Sequence, residues 1–265
     1  MVVLVLEEKT NELYETGCDY FYGRKGVKKD YTVAFDYLFK VAHLGHPAAM
    51  NLLGYMYENK FVISQPPRDN LHEAYAWYIL SANHEIQTDS KTVVARYNVA
   101  RMIAATPNIN GKSSEDVEFA LKLMISVSGK LTDKDYYFAS CKYILGVILL
   151  TYYKDYSNAF DAFFLAAVGG SKTNNNIPEA WHNLGFIAEN GKSPDRQFNG
   201  ITGAIGFYEK AALLGRVESM DSLGRLYAIR KQYREAMKWT QMAADKGYGP
   251  SITRLKGLKL LKWFG

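Results

Sequence analysis

Residues 178–212 read PEAWHNLGFIAENGKSPDRQFNGITGAIGFYEKAA, and the spacing inside this stretch decides the fold. Its first half sets Ala180 before Leu184-Gly185 and Ala188, and its second half sets Ala204 before Phe207-Tyr208 and Ala211-Ala212. Apolar and small residues at such offsets share one stripe of a helix. Gly215 follows the small pair at the distance where helices commonly end in a left-handed glycine. Between the halves, residues 191–203 are rich in Gly, Pro, Asn and Ser, so they read as a connecting loop. The stretch predicts two antiparallel helices.

The same two-part pattern recurs along nearly the whole chain. Copies of the first half are centred on Ala49 with Leu53-Gly54 and Tyr57, and on Ser219 with Leu223-Gly224 and Tyr227. Weaker ones carry Gly17 with Tyr20, Val99-Ala100 with Ile103, and Leu145-Gly146 with Leu149. The second half returns as Ala34 with Tyr37-Leu38, Ala74 with Trp77-Tyr78, Ala159 with Ala162-Phe163, and Ala236 with Trp239-Thr240, and in degraded form as Ala120 with Leu123-Met124. Gly45, Gly170 and Gly247 repeat the helix-ending position.

Glycine inside a helix costs about 1 kcal/mol relative to alanine, so its return at one place implies that backbones approach closely there. One hairpin cannot bury its own stripe, and neighbours must stack. The prediction is an all-α, right-handed α/α superhelical solenoid with a period of about 40 residues. It has six helix pairs, near residues 11–46, 47–86, 91–130, 136–171, 178–216 and 217–248, with a C-terminal cap over 250–265 and a single domain spanning 1–265. The cap is an amphipathic, cationic helix that places Arg254, Lys256, Lys259 and Lys262 among Leu255, Leu258, Leu261 and Trp263. Its alternative role is docking on a membrane surface or partner.

The Leu-Gly-x-x-Tyr half, the Ala-x-x-Trp-Tyr-x-x-Ala-Ala-x-x-Gly half and the period together resemble the Sel1-like repeat family, relatives of the tetratricopeptide repeats. The turn that typical members place before the second helix survives only as Gly23-Arg24-Lys25-Gly26-Val27 with Asp30. The resemblance implies a non-enzymatic scaffold or adaptor that holds a protein or peptide in the concave face of the array. The alternative is a regulatory subunit that activates a separate enzyme or membrane complex, and an enzyme is the remote one.

Taking the Leu-Gly-x-x-Tyr stripe as buried, residues three before, one after and four after each glycine point away from it. In related tetratricopeptide repeats these offsets line the concave groove. The matched positions are Tyr14 and Phe21; Asn51, Tyr55 and Glu58; Tyr97 and Arg101; Tyr143; His182, Phe186 and Glu189; and Asp221 and Arg225. Aromatics offer rigid contact area there, while Asn and Arg can bond extended backbone or carboxylates.

Other chemistry finds little support. No apolar run is long enough to span a bilayer, and Met1 to Leu6 runs into Glu7 and Glu8 without the form of a secretory signal. The two cysteines, Cys18 and Cys141, fit neither a disulfide framework nor a metal motif, so a cytoplasmic or other reducing compartment is expected. A net charge of +5 demands no nucleic-acid partner. Gly111-Lys112-Ser113 and Gly191-Lys192-Ser193 lack the leading glycine of a phosphate loop. Gly200, Gly203 and Gly206 lack dinucleotide-loop spacing and read as a flexible entry into the helix at Ala204. His43 and His46 could share one helix end, with capping favoured over metal binding. No catalytic constellation, cofactor or metal is expected.

Overall fold

The computed structural model describes residues 2–62, 69–83, 90–105, 114–172 and 177–261, and among these it contains helices and no strand. The chain divides into two compact units, Met1–Gly129 and Lys130–Gly265. The first holds α1 (Val2–Tyr22) packed on α2 (Tyr31–His43), α3 (Pro47–Glu58) on α4 (Asn70–Ala82), and α5 (Ser90–Ala105) on α6 (Ser114–Ser128). The second holds α7 (Phe138–Ile148), prolonged by a π-turn over Leu149–Tyr153, packed on α8 (Tyr156–Lys172). Then come α9 (Pro178–Glu189) on α10 (Ile201–Leu213), α11 (Val217–Ile229) on α12 (Tyr233–Asp245), and α13 (Gly249–Leu261) against α12 and α11.

Helix ends follow local chemistry. Asp30 caps α2 by accepting bonds from the Thr32 and Val33 N–H groups, at 2.9 and 3.0 Å. Asp69 does the same for α4 through Leu71, and Pro47 and Pro178 open α3 and α9, where a missing N–H costs nothing. Gly45, Gly215 and Gly247 end α2, α10 and α12 with φ of 88°, 95° and 80°. The fourth such position behaves differently: α8 continues through Gly170 to Lys172.

The helix glycines sit where the sequence places a crossing. A Cβ on Gly54 would lie 2.7 Å from the Tyr78 ring, on Gly185 2.7 Å from Tyr208, on Gly146 2.7 Å from Phe163, and on Gly17 2.9 Å from Leu38. On Gly224 it would strike the Thr240 hydroxyl. In every case the obstacle is the second member of the large-residue pair on the following helix. The glycine is the hole and that side chain is the knob. At the third copy Ala100 takes the glycine's place, and both it and Met124 of the facing helix are fully buried.

The α9–α10 loop is fastened rather than loose. The Asn199 side chain accepts from the Ser193 N–H at 2.8 Å and donates to the Ser193 carbonyl at 3.2 Å. Phe198 then packs on Phe160 and Phe207, with ring centroids 6.1 and 5.4 Å away. A Cβ on Gly203 would collide with the Phe198 carbonyl. Gly203 therefore permits a close approach of backbone and is not a flexible entry.

The two histidines also separate. His43 bonds the Phe39 carbonyl in the last turn of α2, whereas His46 caps the start of α3 by accepting from the Ala49 N–H at 3.2 Å. They do not share one helix end.

Candidate functional site

The first helices of successive pairs meet in a recurring way at α1–α3, α3–α5 and α9–α11. The residue four after one glycine reaches the residue one after the next. Phe21 meets Tyr55 edge-on with centroids 6.1 Å apart, Glu58 pairs with Arg101 at 2.7 Å, and Glu189 pairs with Arg225 at 2.6 Å. Three residues that stand three before a glycine also reach the next first helix or its cap. Tyr14 stacks on His46 at 4.5 Å, Asn51 accepts from Asn98 at 3.1 Å, and His182 bonds Ser219 at 2.8 Å. Asp221, in the last pair, accepts instead from Ser251 and Arg254 of α13.

Each carboxylate of this row has a further partner. The Tyr78 hydroxyl donates to Glu58 at 2.9 Å, and the Tyr208 hydroxyl donates to Glu189 at 3.1 Å. One tyrosine thus does two jobs, since its ring fills the glycine hole and its hydroxyl holds the glutamate that binds the next pair's arginine. Burial, followed by the neighbouring carboxylate, pushes both phenols well above the ordinary tyrosine range, so they stay protonated as donors.

The row is therefore partly spoken for. Phe21 is buried, while Tyr14, Asn51, Glu58, Tyr97, Arg101, Tyr143, His182, Glu189, Asp221 and Arg225 are half-buried. Tyr55 and Phe186 stand out, each 43% exposed. They occupy the same offset in different units, and each lies on the helix whose Glu58 or Glu189 forms the ion pair. His182 is held below its ordinary value near 6.5, first by burial and next by the charge of Arg216.

Several residues of this network were not singled out from the sequence. They are Asn98 and the hydroxyls of Tyr78 and Tyr208, while the sequence marks Ser219 only as a small residue of the repeat stripe. A signal existed: a tyrosine fills the knob position in the two copies that also carry glutamate four after the glycine. The arginine one after the next anchor completes that correlation.

Among the described residues no three or more His, Cys, Asp or Glu side chains cluster as a metal site. Both cysteines are buried, and burial pushes the Cys141 thiol up to about 12, which suppresses thiolate chemistry. Lys192 and Ser193 lie in the fastened α9–α10 loop, whereas Gly111 to Ser113 fall outside the described residues. No helix among the described residues is long and apolar enough to cross a membrane.

Consecutive helix pairs, glycine crossings and a repeated inter-pair register define the class of helical-repeat proteins. A family model described as Sel1 repeat matches residues 13–46, 47–85, 178–215 and 218–248, more than half of the chain. The chain belongs to the Sel1 repeat family. Its fold is similar to that of a Sel1 repeat protein from Oxalobacter formigenes, with a TM-score of 0.57 and 21% identity over 89% of this chain and 88% of that one. It is also similar to a Podosopora anserina putative kinesin light chain with nearly identical TPR-like repeats, with a TM-score of 0.51 and 14% identity over 76% of this chain and 95% of that one. No curated protein matches the sequence significantly. Proteins of this family generally mediate protein–protein interaction, and the fold is generally a non-catalytic scaffold.

Proposed function

We propose that the chain is a non-enzymatic scaffold or adaptor that holds a protein or peptide segment along the groove face of its first helices. One observation carries this reading: each unit repeats an exposed aromatic ring on the helix that bears a buttressed Glu–Arg pair. Tyr55 accompanies Glu58–Arg101, and Phe186 accompanies Glu189–Arg225. The two rings recur at one offset, and a rigid ring beside fixed charges suits recognition of an extended segment. Phe21, Glu58, Arg101, Glu189 and Arg225 serve the register beside these two rings.

The test is affinity purification of the wild type with mass spectrometry, followed by binding of the identified partner to Tyr55→Ala and Phe186→Ala. Loss of binding at unchanged melting temperature supports the groove. The regulatory-subunit reading uses other surfaces, so Leu80→Ala on α4 and Leu213→Ala on α10, both exposed, form the opposing arm. Binding lost only in that arm refutes the groove.

A further inference from the structure

The turns that join first to second helices carry a chemistry that the groove does not use. Among the described residues, every non-glycine residue with left-handed backbone is a lysine: Lys25, Lys60, Lys154 and Lys231, with φ of 50°, 57°, 54° and 60°. Each lies in such a turn. Glycine or asparagine suits this backbone better, so the conformation alone does not select lysine.

In the first unit this preference is reinforced. Arg24, Lys28, Lys29 and Lys60 are exposed and form no ion pair among the described residues. The nearby carboxylates are occupied, since Asp19 pairs with Lys25 at 2.9 Å and Asp30 caps α2. Phe61 stacks on Tyr31 at 4.4 Å, which brings the turn bearing Lys60 beside the turn bearing Lys28 and Lys29. Arg24 lies 4.2 Å from the centre of the Tyr22 ring, which is itself 47% exposed.

A helix dipole accounts for a cation just after α1 or α3 but not for Lys28 and Lys29. They immediately precede the N-terminus of α2, where positive charge is disfavoured. Their placement works against local stability. They also line a surface cleft of about 410 Å³ together with Tyr20, Val27 and Asp30.

From these observations we infer that the turn edge of the first unit, formed by Arg24, Lys28, Lys29 and Lys60 around Tyr22, is a docking surface for an acidic protein segment bearing an aromatic side chain. Carboxylates meet the four cations, and the aromatic group packs at Tyr22 and the cleft. A concave cleft lined by Tyr20, Lys28 and Lys29 fits a side chain better than a flat lipid surface. A second copy of the chain, whose net charge is +5, offers no excess of carboxylates to meet the cations. Tyr22 packs on Phe21 of the groove row at 4.8 Å, but none of the four cations belongs to that row, so reversing their charge tests this surface without touching the groove rings.

The test uses the full chain and a fluorescein-labelled peptide of Glu and Asp around a central Phe, with a Lys-containing counterpart and phosphatidylserine–phosphatidylcholine vesicles as comparison arms. The wild type binds the acidic peptide, more weakly as salt rises, and does not bind the Lys peptide. Lys28→Glu/Lys29→Glu weakens binding about tenfold or more, whereas Lys238→Glu/Lys246→Glu, with the same change in net charge, weakens it less than about twofold. The melting temperature of the first variant stays level or rises, because acidic residues favour a helix N-terminus. Equal loss in both variants, no binding of the acidic peptide, or binding to vesicles alone overturns the proposal.

Discussion

At the scale of single residues, five of the six crossings rest on holes left open by glycine. Gly185→Ala drives a methyl group to within 2.7 Å of the Tyr208 ring, and overpacking of this kind costs about 1–3 kcal/mol. Gly206, on the same hairpin, has nothing within 4 Å of a Cβ, so Gly206→Ala gains roughly 0.5–1 kcal/mol through helix propensity. Urea unfolding of the two variants should move in opposite directions. His182 adds a pH dependence. Burial and Arg216 lower its affinity for a proton in the folded state, so the unfolded chain takes up that proton at higher pH. Stability therefore falls as pH drops below about 6.5, and His182→Gln flattens that slope in thermal melts across the range.

At the scale of elements, the helix pairs were legible because a stripe of small residues is a local, periodic signal. The connections between pairs were less so. That Glu58 would hold Arg101 across a pair boundary depends on which helices lie side by side, and sequence spacing alone does not state that. The groove offsets nevertheless identified both partners, because the register that exposes a ring at Tyr55 also places charges at Glu58 and Arg101. Sequence reasoning failed where a residue serves packing across sequence distance, as with Gly203 beneath Phe198, or where a helix overruns its expected stop, as at Gly170. Two changes test the connections. Tyr208→Phe keeps the ring in the Gly185 hole but removes the donor to Glu189, which should cost about 1 kcal/mol in urea titration. Asp221→Ala leaves the buried Ser251 hydroxyl without its acceptor and loosens α13 from α11, at about 1–3 kcal/mol. Hydrogen exchange should register that second loss in α11 to α13 and not in Met1–Gly129.

At the scale of the whole molecule, the family match covers the first two and last two helix pairs and omits the pairs formed by α5 to α8. Those middle pairs keep the architecture with altered residues. Ala100 stands for glycine, and a π-turn prolongs α7 past Ile148. Architecture thus tolerates more change than the motif does, since any close-packed small and large pair can fill the crossing. Within each unit the first helices keep one face turned from the core, and the proposed binding surface is that face. Hydrogen exchange followed by mass spectrometry, on the chain alone and saturated with its purified partner, tests the claim most directly. New protection is expected to concentrate in first helices, above all in α3 around Tyr55 and α9 around Phe186. Protection confined to the second helices α4, α6, α10 and α12, or to α13, would contradict it.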